Sequence, residues 1–409
     1  MICLFALLLA GVYQPTPENL KAREWFQDAR LGLFIHWGLF SALERGEMAM
    51  DQEQIPIAAY EKVPELFSPT LYSPAEWVTL ARQAGMRYIT ITAKHHDGFA
   101  LWSTRQTPWN IVDATPYRRD AIAMLAEECR KQNIKLFFYY SQLDWIDPDY
   151  FPRGRTGQHS GRPNQGNFNR YLDFVARQLR ELLTDYGPIG GIWFDGSWDK
   201  PFADWRLPQT YALIHSLQPA ALIGNNHGGK PNDGEDFQIF HKRLPPAIAS
   251  GLPAESADTM TGSWGYNAAD RKFRSGPDLI RQLVRAAGLN SNFLLNVAPM
   301  PTGQLPAEAA DRLKEIGQWT SKFGETIYGT RGGPLPPQPW GVTTQTKDRI
   351  YVHVLDSSAE WLTLPSGITF RKAFPFGGDK PLEIRETAQG RALRLPPRHP
   401  IDSILVLEK

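Results

Sequence analysis

Through most of the chain, short, mostly apolar runs alternate with longer stretches of helical periodicity. The apolar runs lie at residues 31–35, 88–92, 134–141, 191–194, 221–224 and 293–297. Each run is short and dominated by apolar side chains, the pattern of strands buried between layers in a parallel sheet. Helices are predicted between them. Ser73-Pro74-Ala75-Glu76-Trp77 opens one with a capping serine and a first-turn proline, and Ala84-Gly85 closes it. Others are expected over 117–132, 168–186, 208–217, 278–288 and 307–323. Such βα repetition predicts an α/β fold, a (β/α)8-like TIM barrel. From about 228 to 275 the periodicity is weak, and the later strands are not placed by pattern alone.

Gly332-Gly333-Pro334-Leu335-Pro336-Pro337-Gln338-Pro339 is too rich in Gly and Pro for a regular element. Beyond it the period becomes two, at 349–355, 360–364, 392–395 and 403–407, which predicts a small antiparallel β-sandwich. A catalytic barrel is therefore expected over 15–335 and the sandwich over 336–409, its role being to brace the barrel. At the other end, the apolar run from Ile2 to Val12 is too short to span a bilayer and has the size of a signal-peptide core, although no Lys or Arg precedes it. Residues 1–14 are read as a candidate signal peptide, and the protein as secreted or periplasmic. Of the two cysteines, Cys3 would leave with that segment and Cys129 falls in a helical pattern, so no intramolecular disulfide is expected.

The 409 residues suffice for one barrel and a small appended domain, with no membrane span. Lys and Arg number 44 against 43 Asp and Glu, which gives no field favouring nucleic acid or an anionic membrane. Neutral ligands fit that balance, and the 13 Trp residues offer flat faces for the apolar side of a sugar.

The candidate chemistry sits where the apolar runs end. Leu31–Ile35 runs into His36-Trp37-Gly38, the run at 88–92 into Lys94-His95-His96-Asp97-Gly98, and the run at 191–194 into Asp195-Gly196-Ser197-Trp198. Barrel enzymes keep their polar work at these strand ends. Neutral imidazoles both donate and accept hydrogen bonds, which suits vicinal hydroxyls. Adjacent histidines raise the question of a metal, but strand neighbours point to opposite faces, and the chain has no HExxH pattern or cysteine cluster. No metal is expected. Asp195, walled by Trp193, Phe194 and Trp198, is either an attacking carboxylate or a helix cap.

Phe34 to Gly38 (FIHWG), Lys94 to Trp102 (KHHDGFALW), Tyr139 to Trp145 (YYSQLDW), Trp193 to Trp198 (WFDGSW), Ser263 to Asn267 (SWGYN) and Asn292 to Gly303 (NFLLNVAPMPTG) resemble, in this order, the α-L-fucosidases of glycoside hydrolase family 29. The resemblance covers residues 18 to 335. It implies retaining hydrolysis of terminal α-L-fucosides on oligosaccharides or glycoconjugates, with no metal or organic cofactor. It implies Asp195 as nucleophile, His36, His95, His96 and Glu47 as ligands of the sugar hydroxyls, and Tyr140 and Trp264 as aromatic contacts; Trp198, which walls Asp195, is a further candidate for binding the substrate. Two departures stand out. Met48 occupies a position where the family commonly has Trp, and His241 one where many members have Glu. Glu255 is expected to be the acid/base, with Glu235 and Asp236 as lesser candidates and His241 as a hydroxyl-binding or packing residue. A fucose-binding pseudoenzyme and a retaining hydrolase of altered sugar specificity remain alternatives. Linkage, aglycone and oligomeric state are not legible.

Overall fold

In the computed structural model, which describes residues 12–356 and 359–409, parallel strands wrap around a core of aromatic rings. The candidate signal peptide lies, apart from its last three residues, outside the described residues. Within those three, Tyr13 stacks on His215 at 4.3 Å and its N–H donates to Asp233. The packed fold therefore begins before residue 15.

The strands are β1 (Leu31–Ile35), β2 (Tyr88–Lys94), β3 (Lys135–Ser141), β4 (Gly191–Asp195), β5 (Leu222–Asn226), β6 (Gln238–His241), β7 (Ala254–Thr259) and β8 (Ser291–Val297). They form one 8-stranded parallel sheet in the order β5-β4-β3-β2-β1-β8-β7-β6. A single bridge, Gly224 to Phe237, links β5 to β6 and brings the barrel nearly to closure. The weakly periodic stretch thus supplies β6 and β7. Their residues are largely polar because the positions facing the barrel axis carry groups such as Glu255 rather than aliphatic side chains.

Alternation along each strand divides the core in two. Phe34, Tyr88, Phe137, Tyr139, Trp193 and Leu294 fill the barrel, while their neighbours pack outward under the helices. Helix Phe168–Thr184 shows how the outer layer forms. Asn167 caps it by accepting from the N–H groups of Asn169 and Arg170, and Tyr171, Val175, Leu179 and Leu182 recur on one buried face. Each such side chain contributes about 1.5–3 kcal/mol on burial. Helix Pro17–Ala29 closes the bottom of the barrel, with Phe26 against Tyr88, Phe137 and Phe237 at 5.2, 5.7 and 4.8 Å. No helix among the described residues is long and apolar enough to cross a membrane.

The C-terminal region pairs a 5-stranded with a 3-stranded antiparallel sheet. The edge of the larger sheet is Arg331–Gly332, so strand pairing starts inside the Gly/Pro-rich segment expected to be a linker. The sandwich is tied to the barrel: Thr344 donates to the Thr326 carbonyl and Arg281 to the carbonyls of Pro400 and Ile401. With the bottom plugged and one flank covered, the open end is the face where the strands finish.

Candidate active site

A cavity of about 430 Å³ opens at the C-terminal end of the strands, floored by Phe34, Tyr139 and Trp193. Asp195, the last residue of β4, enters it from the side. Its Oδ2 accepts from the Tyr139 hydroxyl at 2.8 Å; its Oδ1 accepts from Trp198 Nε1 at 2.8 Å and Asn226 Nδ2 at 3.1 Å. Three donors replace the hydrogen bonds the carboxylate loses on burial and fix its orientation. This is the environment of an attacking oxygen.

Three histidines meet it from β1 and β2. Asn296 spends its amide N–H on the Trp264 carbonyl at 2.7 Å, so its oxygen accepts from His36 Nδ1 at 2.7 Å. His36 then presents a bare Nε2 to the cavity. Ser141 donates to the Leu143 carbonyl at 2.7 Å and accepts from His96 Nδ1 at 2.7 Å, which likewise leaves His96 Nε2 bare. That nitrogen lies 3.6 Å from Asp195 Oδ2, and a hydroxyl proton can be shared in the gap. His95 Nδ1 is buried with no protein partner. Burial, followed by the fields of neighbouring histidines, pushes His36 and His95 well below the usual imidazole range and His96 down to about 3. The site therefore meets a ligand with neutral rings.

Glu47 lines the same cavity and its Oε2 accepts from the Gly265 N–H at 2.7 Å. Burial raises its pKa, opposed by that N–H. Met48, Trp198, His241 and Trp264 complete the walls, with His241 stacked on Trp264 at 4.6 Å. The structure thus assembles Asp195, His36, Glu47, His95, His96, Trp198, His241 and Trp264 around one space.

Two expected residues stand elsewhere. Tyr140 points outward from β3, where its hydroxyl donates to Gln178 at 2.7 Å; the tyrosine in the cavity is its neighbour Tyr139. Glu255 lies beneath the floor, accepting from Tyr88 at 2.5 Å and Trp193 Nε1 at 2.8 Å. Burial raises its pKa to about 7, as an acid/base would need, but it is bonded to Trp193 and does not line the cavity. Of the lesser candidates, Asp236 is wholly buried between Arg23 and His215, and Glu235 sits behind His227 at 3.1 Å. Neither lines the cavity. Phe34, Tyr139, Asn226 and His227 were not anticipated; counting in twos back from Asp195 to Trp193, and across the β4–β3 register to Tyr139, is the signal that finds the tyrosine. Among the described residues no group of His, Cys, Asp and Glu could hold a metal ion.

A sequence model described as Alpha-L-fucosidase matches residues 6–325. The alpha-L-fucosidase of Dictyostelium discoideum is 26% identical over 98% of this chain and 96% of its own. Among solved structures, alpha-L-fucosidase isoenzyme 1 from Paenibacillus thiaminolyticus superposes with a TM-score of 0.87 at 32% identity, covering 96% of this chain and 99% of that one. A Bacteroides thetaiotaomicron alpha-L-fucosidase, captured as a trapped covalent intermediate with 2-fluoro-fucosyl fluoride, superposes at 0.85 and 25% identity over 98% of each chain.

Proposed function

The chain belongs to the alpha-L-fucosidase family and is a retaining glycoside hydrolase, and within that reaction we propose that Asp195 is the nucleophile. The observation that carries this is its placement: a strand-end carboxylate, oriented by Tyr139, Trp198 and Asn226, in a cavity it shares with the neutral rings of His36, His95 and His96. Asp195 attacks the anomeric carbon of a terminal α-L-fucoside, the bond to the leaving oxygen breaks, and water then displaces the sugar from the resulting ester. His36, His95 and His96 hold the hydroxyls. Because they are neutral they add no repulsion to the positive charge that builds on the ring at the transition state. Trp264 and Trp198 cover the apolar edges of the sugar.

The substrate is a fucosylated oligosaccharide or glycoconjugate. We further propose export from the cytoplasm, on the strength of the apolar run from Ile2 to Val12. Fractionation of the producing cells with N-terminal sequencing checks this, and enzyme found only in the cytoplasm with Met1 intact would refute it.

Proton NMR of an aryl α-L-fucoside digest tests the reaction. The first sugar to appear should be the α-anomer. Asp195→Gly should lose about 10³-fold or more in turnover, and azide should restore it while giving the inverted β-L-fucosyl azide. Wild-type protein that binds fucose but turns over no aryl fucoside would instead be the fucose-binding pseudoenzyme.

A further inference from the structure

We propose that His241, rather than a carboxylate, gives a proton to the departing oxygen and takes one from the incoming water. This rests on the assignment of Asp195 as nucleophile. The cavity has only two carboxylates among the described residues, Asp195 and Glu47. Glu47 follows β1, which is separated from β4 by both β2 and β3, and its Oε2 is tied to the Gly265 N–H. His241 ends β6, which only β5 separates from β4. Its ring is stacked on Trp264 at 4.6 Å and 26°, and neither ring nitrogen is hydrogen-bonded to a described residue. The other unassigned histidine of the cavity, His227, has both nitrogens occupied, Nε2 by Glu235 at 3.1 Å and Nδ1 by the Gly229 N–H at 3.1 Å.

The charges around His241 fit the role. Burial and Lys242 lower its pKa, while Asp195 and, more weakly, Asp258 raise it; Asp258 is itself paired with Arg274 at 2.9 Å. His36, whose basicity the His241 charge in turn lowers, faces it from β1. Asp195, which lines the same cavity, is the group that most raises the His241 pKa. An imidazolium facing a cationic transition state is acceptable when its charge leaves as the sugar's appears. In the first step the Nε–H or Nδ–H proton passes to the leaving oxygen as Asp195 bonds to the anomeric carbon. In the second, neutral His241 takes the proton of the attacking water, the ester bond breaks, and imidazolium and carboxylate are regenerated. Since its pKa lies below the ordinary imidazole range, hydrolysis of glycans should fall as pH rises through that lowered value.

The test uses the full-length enzyme with His241→Gln, His241→Ala, His241→Glu and Glu47→Gln variants. A general acid matters most for poor leaving groups. His241→Gln should lose about 10²–10⁴-fold on a fucosyl disaccharide yet form the glycosyl-enzyme from a dinitrophenyl fucoside at close to the wild-type rate. Azide should then release α-L-fucosyl azide from both His241→Gln and His241→Ala. His241→Glu should regain disaccharide turnover with a shifted pH profile. Unchanged leaving-group dependence at His241, or these signatures at Glu47→Gln instead, would overturn the proposal. Inverted azide product from Asp195→Gly keeps the nucleophile assignment intact in either case, whereas its absence would withdraw that assignment separately.

Discussion

The carboxylate proposed to attack the anomeric carbon, Asp195, is held in one orientation among aromatic rings by three donors. The Tyr139 hydroxyl is one of them, and a hydrogen bond to a charged group contributes about 1.5–3 kcal/mol. Tyr139→Phe should therefore lower kcat/KM roughly tenfold to a hundredfold with little change in melting temperature. An effect confined to stability would show that the hydroxyl holds the barrel and not the nucleophile. Replacing His95 or His96 by Ala should weaken fucose binding by about 1–3 kcal/mol, read by calorimetry, because each leaves a sugar hydroxyl without its partner. EDTA should change neither binding nor turnover. Metal-restorable activity would reverse the assignment of these rings to sugar hydroxyls. Much of this set was legible in the sequence because His36, His95, His96 and Asp195 all stand where an apolar run stops. The choice of Tyr139 over Tyr140 was not, since both faces of β3 are aromatic and period-two alternation is silent there.

Depth along a strand separates the two carboxylates that the sequence placed together in the site. Asp195 is the last residue of β4, whereas Glu255 is the second of the 6 in β7, opposite the second residue of β8. Side chains at strand ends reach the open face; those near the start sit in the packed layers below. A sequence shows that a carboxylate lies in a strand but not how far down, least of all in β6 and β7, whose weak periodicity hides their limits. Glu255 accordingly lies under the cavity floor, where it accepts from Tyr88 and Trp193. Its pKa stands at about 7 against an ordinary 4.5, so the folded protein keeps its proton where the unfolded chain has lost it. That contribution is fully present below pH 4.5 and vanishes as pH rises through about 7. The melting temperature of wild type relative to Glu255→Gln should therefore fall between pH 5 and pH 8. Leaving-group dependence in Glu255→Gln should match wild type; a steeper dependence would return Glu255 to the proton-transfer role.

At the scale of the whole molecule, the sandwich braces the barrel through Thr344 to Thr326 and Arg281 to Pro400 and Ile401, on the flank away from the cavity. Removing residues 336–409 takes these bonds and uncovers apolar surface, so the truncated chain should melt lower or fail to stay in solution, whereas Asp195 variants should melt like wild type. A truncated chain with unchanged melting would make the sandwich a separate module. The near balance of charge leaves the cavity to recognise its ligand by shape, hydroxyl pairing and aromatic cover, which is how a neutral terminal sugar is read. The central claim is that this sugar becomes bonded to Asp195. The most direct measurement is mass spectrometry of a proteolytic digest after incubation with 2-fluoro-fucosyl fluoride, in which slow turnover of the ester lets it accumulate. One 2-fluorofucosyl group on the peptide carrying Trp193-Phe194-Asp195-Gly196, located on Asp195 by fragmentation, is the predicted result. A label on any other residue, or release of inverted sugar with no label at all, would contradict it.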